Sequence, residues 1–128
     1  MILRGGSAPN YDAASVDSVC RQLTAAKLPA RLMIDVSHGN SSKRPENQPV
    51  VIADIAARIE AGEHRISGVM VESHLKAGRQ DLVPGQALEY GRSITDGCVD
   101  WDTSVQIMEQ LATAIANRRS RGAARAVG

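Results

Sequence analysis

The sequence predicts an α/β fold built from parallel βα units. Short apolar runs alternate with longer segments of helical periodicity, the signature of βα units. The middle run, Ala30–Val36, is apolar at its centre without in–out alternation, as expected for a parallel strand covered on both faces. Each strand is followed by a loop that carries a chemically useful side chain. At 128 residues, with 43% apolar and 23% charged residues, the chain is one domain with enough sequence to bury a core. It is too short for a self-contained (β/α)8 barrel, which takes about 250 residues.

The elements follow in order. Met1–Arg4 reads as a strand running into Gly5-Gly6. Residues 12–27 read as a helix capped by Asp12, with Val16, Val19, Cys20, Leu23 and Ala26 at helical spacing. Residues 30–36 form the second strand and 37–49 a loop. Residues 50–61 form a second helix, with Val51, Ile52, Ile55, Ala56 and Ile59 on one face and Gly62 to end it. Residues 66–72 form the third strand. A long loop over 73–101, of the kind usually reserved for function, leads to a helix over 102–119. Asp102 or Thr103 is expected to cap that helix, with Val105, Ile107, Met108, Leu111, Ala112 and Ile115 as its apolar face.

Charge and composition exclude several classes. The net charge is +1, but four arginines fall in the last eleven residues, so residues 1–117 carry −3. That tail, 120–128, is expected to be basic and disordered, outside a domain spanning 1–119. With three aromatic residues and no Phe, the chain lacks the stacking platforms of a single-strand nucleic-acid binder. No run approaches a membrane span and no signal peptide is evident. Two cysteines without a CxxC pair point to a reducing cytoplasm.

The candidate site lies at the strand ends, where parallel α/β folds bind ligands. Arg4 ends the first strand, Asp35 and His38 close the second, Glu72 ends the third, and Asp96 precedes the last helix. One imidazole and two carboxylates suit a divalent ion such as Mn, Fe, Co or Zn. Arg4 before two glycines offers a planar fork to a phosphate or carboxylate. Spacing alone leaves open a plainer arrangement, in which His38 caps a loop and Glu72 pairs with an arginine. Asp35 is placed to orient its loop or the His38 ring. Lys43 is either a phosphate contact or a solvated lysine. His74 is expected in a loop hydrogen bond rather than as a ligand, and His64 in solvent. Cys20 and Cys98 are expected to be buried as small apolar groups.

Several stretches are recognisable together: Leu3-Arg-Gly-Gly6, Ala8-Pro-Asn-Tyr11, Leu28-Pro-Ala-Arg-Leu-Met-Ile-Asp35, Ser37-His-Gly-Asn-Ser-Ser-Lys43, Gly68-Val-Met-Val-Glu-Ser-His-Leu75 and Tyr90-Gly-Arg-Ser-Ile-Thr-Asp-Gly-Cys98. In this order they closely resemble the C-terminal third of the class I 3-deoxy-D-arabino-heptulosonate 7-phosphate (DAHP) synthases, over nearly all of residues 2–119. The resemblance implies the last three βα units of a (β/α)8 barrel, incomplete as a barrel in this chain. It implies an aldol-like condensation of phosphoenolpyruvate with erythrose 4-phosphate on a divalent metal, the first step of the shikimate pathway. His38, Glu72 and Asp96 fall on the family's metal ligands, and Arg4 on an arginine that binds phosphoenolpyruvate.

The departures from the family pattern also carry expectations. The family's fourth ligand, a cysteine, and its other substrate-binding basic residues belong to units not represented here. Gly39 stands where the motif more commonly has Ala, which reads as a mild change. Three βα units leave strand edges and an apolar surface uncovered. The chain alone is therefore expected to form a homo-oligomer, to pair with the missing part of a barrel, or to fold poorly. The alternative to the enzyme is a non-catalytic truncated or split-gene fragment that self-associates or pairs with the missing part.

Overall fold

A computed structural model describes residues 1–126. Its order is β1 (Ile2–Leu3), α1 (Ala13–Ala25), β2 (Leu32–Asp35), a 3-10 turn (Pro45–Asn47), α2 (Gln48–Ala61), β3 (Ile66–Met70) and α3 (Trp101–Ala126). The three strands pair in parallel in the order β1-β2-β3. Ile2 pairs with Met33 and Leu3 with Ile34; Met33, Ile34 and Asp35 pair with Gly68, Val69 and Met70. The fold is therefore α/β with three parallel strands and three helices, as the alternation of patterns predicts.

Pairing register sorts the side chains onto two faces. Leu3, Leu32, Ile34 and Val36 pack with Val16 and Cys20 of α1, with Val51, Ile52, Ile55, Ala56 and Ile59 of α2, and with Ile107 and Ala114 of α3 in one core. The opposite face holds Ile2, Met33 and Gly68, then Asp35 and Met70. Here Ile2 is 58% and Met33 37% exposed. The expectation that β2 is covered on both faces is corrected: the helices pack into a core on one side of the sheet only, and the apolar run through Met33 reaches solvent on the other.

The helix ends differ in detail from the pattern. Asp12 caps α1 as expected, its Oδ1 accepting from Ser15 N at 3.0 Å. The helix stops at Ala25 because Lys27 turns left-handed at φ +59° and Leu28 N reaches back to Leu23 O. α2 starts at Gln48 rather than at 50, since Pro49 fits a first turn that needs no N–H. α3 is capped by neither Asp102 nor Thr103. Asp100 does this, its Oδ1 accepting from Thr103 N at 2.8 Å.

The apolar face of α3 is also corrected. Ile107 and Ala114 are buried, but Val105 and Met108 face solvent with Trp101. The helix is apolar on two sides, and only one meets α2. Its far end overruns the expected boundary at 119. Arg118 donates to Glu63 O at 2.5 Å and Arg121 to Glu60 Oε1 at 3.2 Å, which ties the helix to α2 and the loop after it. Residues 127–128 of the expected tail lie outside the described residues.

The long loop is more ordered than its composition suggests. Ser73 and Val99 form a parallel bridge, with Val99 N donating to Glu72 O at 3.0 Å and His74 N to Val99 O at 2.9 Å. A short fourth parallel segment thus lies beside the end of β3. Gly78 and Cys98 exchange hydrogen bonds nearby. Among the described residues no helix is long and apolar enough to cross a membrane.

Candidate metal centre

All the strand ends open on the same rim. Val36 N bonds to Met70 O, carrying the β2–β3 ladder up to the site. Beyond it, residues 37–43 make a tight turn, closed by Ser41 N to Ser37 O at 3.1 Å and Lys43 N to His38 O at 2.7 Å. His38 sits in this turn at φ +46°, a left-handed conformation that costs a non-glycine residue energy. Ser37 N donates to Asp35 Oδ1 at 2.9 Å, and His38 Nδ1 donates to Asp35 Oδ2 at 2.8 Å. Asp35 is 2% exposed. A buried carboxylate holds the ring proton on Nδ1 and leaves the Nε2 lone pair directed outward.

His38 Nε2 lies 3.9 Å from Glu72 Oε1 and 3.9 Å from Asp96 Oδ2. One donor atom from each residue falls within 4.8 Å of the others. Two ligands on one divalent first-row ion, with bonds of about 2.1 Å, stand at most about 4.2 Å apart. The imidazole–carboxylate separations already meet that limit. Asp96, 64% exposed, has the freedom to close the remaining gap. The plainer alternative, Glu72 paired with an arginine, does not occur among the described residues.

Gln48, which sequence reasoning overlooked, holds Glu72. It is fully buried; its Oε1 accepts from Glu72 N at 2.9 Å and its Nε2 donates to Glu72 O at 3.1 Å. A signal was present: Gln48 begins the stripe that continues through Val51, Ile52 and Ile55, a polar residue at a core position. Arg4 stands at the rim with its side chain 65% exposed and its Nε 3.7 Å from Asp35 Oδ2.

The match to known proteins is extensive. The model of the DAHP synthetase I family matches residues 1–109. The chain belongs to this family. It is 50% identical over 119 residues to a Phe-sensitive phospho-2-dehydro-3-deoxyheptonate aldolase of Escherichia coli K12, covering 93% of this chain and 34% of that protein. It is 51% identical over 124 residues to a tyrosine-inhibited relative from Schizosaccharomyces pombe, covering 93% and 33%. The solved structure of the aldolase from Francisella tularensis superposes with a TM-score of 0.87 at 45% identity, over 91% of this chain and 34% of that one. The chain thus spans about a third of the length of the relatives it matches.

Within this member of the DAHP synthetase I family, the remaining candidates separate clearly. His74 is exposed and its Nδ1 accepts from the Leu75 N–H at 2.8 Å, the loop hydrogen bond expected. His64 is exposed. Lys43 is exposed, with a left-handed backbone at φ +59°. Cys20 and Cys98 are buried. Burial pushes the Cys98 thiol up, and the charges of Glu72 and Asp96 add to that against a weaker opposing bond from Ser93. Cys98 therefore stays a neutral thiol beside the acidic cluster.

Gly39 is not a mild change. A Cβ there would stand 2.7 Å from Gly5 C and 2.8 Å from Gly6 N, both backbone atoms. The loop after β2 and the loop after β1 meet main chain against main chain.

Proposed function

We propose that this chain is part of a metal-dependent DAHP synthase that condenses phosphoenolpyruvate with erythrose 4-phosphate. On this reading it supplies three βα units, the last ones, of a (β/α)8 barrel. The observation that carries it is the convergence of His38, Glu72 and Asp96 within 4.8 Å at the strand ends of a chain of this family. A bound divalent ion, Mn, Fe, Co or Zn, would supply Lewis-acid polarisation of the aldehyde carbonyl.

The chain's own residues then have distinct tasks. His38 offers Nε2 because Asp35 occupies Nδ1. Glu72 and Asp96 each offer a carboxylate oxygen 3.9 Å from that ring nitrogen. Arg4 extends an exposed guanidinium from the same rim, suited to the carboxylate or phosphate of phosphoenolpyruvate. Its role is positional, bringing the enol carbon into register with the carbonyl it attacks. Lys43 is a secondary phosphate contact on this reading.

The test is a chimera in which residues 2–119 replace the matching segment of the E. coli relative. It should form DAHP, and His38→Ala should lower the rate by at least about 10³-fold, as loss of a first ligand to an essential ion implies. A folded chimera whose turnover survives His38→Ala would refute the assignment.

A second reading, a non-catalytic fragment that self-associates or complements the rest of a barrel, is favoured by the apolar sheet face around Ile2 and Met33. Turnover by the 128-residue chain on its own would exclude it.

A further inference from the structure

We propose that Asn40 is the positioning residue that sets Arg4 against the His38 turn. This rests on the reading of Arg4 as the holder of phosphoenolpyruvate.

Asn40 is 3% exposed and its side-chain amide is fully used. Nδ2 donates to Leu3 O at 3.1 Å and to Asp35 O at 2.7 Å, while Oδ1 accepts from Asn10 N at 2.8 Å. Asn10 Oδ1 in turn accepts from Gly5 N at 2.8 Å. The residues before and after Arg4 are therefore both tied to Asn40, Leu3 directly and Gly5 through Asn10. Asp35, tied to the same amide, is the residue that holds the His38 ring.

The β1–β2 ladder ends at Leu3 and Ile34, and beyond it little else among the described residues links the two loops. Among the described residues the Arg4 guanidinium meets the His38 side of the rim through Asp35, at 3.7 Å. The loops otherwise meet at Gly5 and Gly39, where a Cβ on either would stand under 3.0 Å from the other's backbone. That contact has no side chain to specify its register. Only Asn offers two donors and an acceptor at this size. An aspartate has the same shape but turns oxygens toward two carbonyls.

The experiment is a double-mutant cycle on the 128-residue chain, with Asn40→Asp, Arg4→Ala and both together. Folding is followed by circular dichroism, Mn binding with the metal alone, and phosphoenolpyruvate binding by amide shifts in NMR. Asn40→Asp should weaken phosphoenolpyruvate binding about tenfold, the equivalent of one or two lost hydrogen bonds. The double variant should be no weaker than Arg4→Ala, and Mn affinity should stay within about threefold of wild type. The proposal is overturned if folded Asn40→Asp binds phosphoenolpyruvate as wild type does. Additive losses, or Mn and phosphoenolpyruvate affinities falling together, overturn it too, since those describe a staple and not a positioning residue. Asn10→Ala, which cuts only the Gly5 branch, should give a several-fold loss with the same non-additivity and serves if Asn40→Asp does not fold. If Arg4→Ala itself leaves phosphoenolpyruvate binding unchanged, the reading of Arg4 fails first and takes this inference with it.

Discussion

Glu72 leaves β3 with both of its backbone polar groups close to a single side chain, that of Gln48. Such pairing fixes where the carboxylate starts. Truncating Gln48 strands a buried N–H. Its carbonyl partner keeps the bond from Val99 N. Gln48→Ala should therefore destabilise the chain by about 2–3 kcal/mol, one unsatisfied buried donor plus a small cavity. Urea unfolding measures this, and a change under about 0.5 kcal/mol would mean water replaces the amide freely. At this scale the site was partly legible in advance. His38, Glu72 and Asp96 stand out as candidates at and beyond the strand ends, and only the resemblance to the family marks them as ligands. Gln48 acts on Glu72, 24 residues away, and Asn40 on Leu3 and Asn10, 37 and 30 residues away, besides nearby Asp35; no local pattern announces the distant partners.

Elements meet through charge as well as apolar contact. Glu63, just beyond α2, receives Arg65 through N and Nε at 2.8 Å and through Nη2 at 2.5 Å, and Arg65 also reaches Asp17 of α1 at 2.6 Å. The Arg65 hydrogen bonds hold the Glu63 carboxyl at about 2, against an ordinary 4.5. A folded-state value below the unfolded one gives stability that is present above about pH 4.5 and lost as pH falls toward 2. The urea midpoint should therefore decline between pH 5 and 2, and Glu63→Gln should flatten that decline by about 1 kcal/mol after allowance for solvent screening. An unchanged pH profile in Glu63→Gln would contradict the pairing. Helix identity was readable from periodicity, yet ends shifted by up to two residues, and the far end of α3 runs on to Ala126 instead of 119. Asp100 outcompeted the two expected caps because its side chain reaches the Thr103 N–H from the loop. The parallel segment at Val99 escaped notice, being a single bridge within a glycine-rich stretch.

Across the whole molecule the dominant feature is asymmetry of cover. The helices pack into one core on one side of the sheet, and Ile2 and Met33 remain open on the other. β1 and the short segment at Val99 flank a sheet with free edges, and α3 adds an outward stripe of Trp101, Val105 and Met108. The sequence foretold uncovered surface through its resemblance to a barrel. It did not reveal which face would be bare, because an apolar run reads alike whether one side or both are covered. Gel filtration of the chain alone should show oligomers, and Met33→Lys should shift the population toward monomer. A clean monomer in the parent chain would show that this face tolerates water.

His38 beyond β2, Glu72 beyond β3 and Asp96 in the loop before α3 make up the proposed divalent-metal centre. The most direct measurement is a titration of the 128-residue chain with Mn alone, beside His38→Ala and Glu72→Ala. One Mn per chain, with affinity reduced at least about tenfold by either substitution, is the predicted result. Equal Mn binding by the parent chain and both variants would contradict it and reduce the cluster to three neighbouring polar groups.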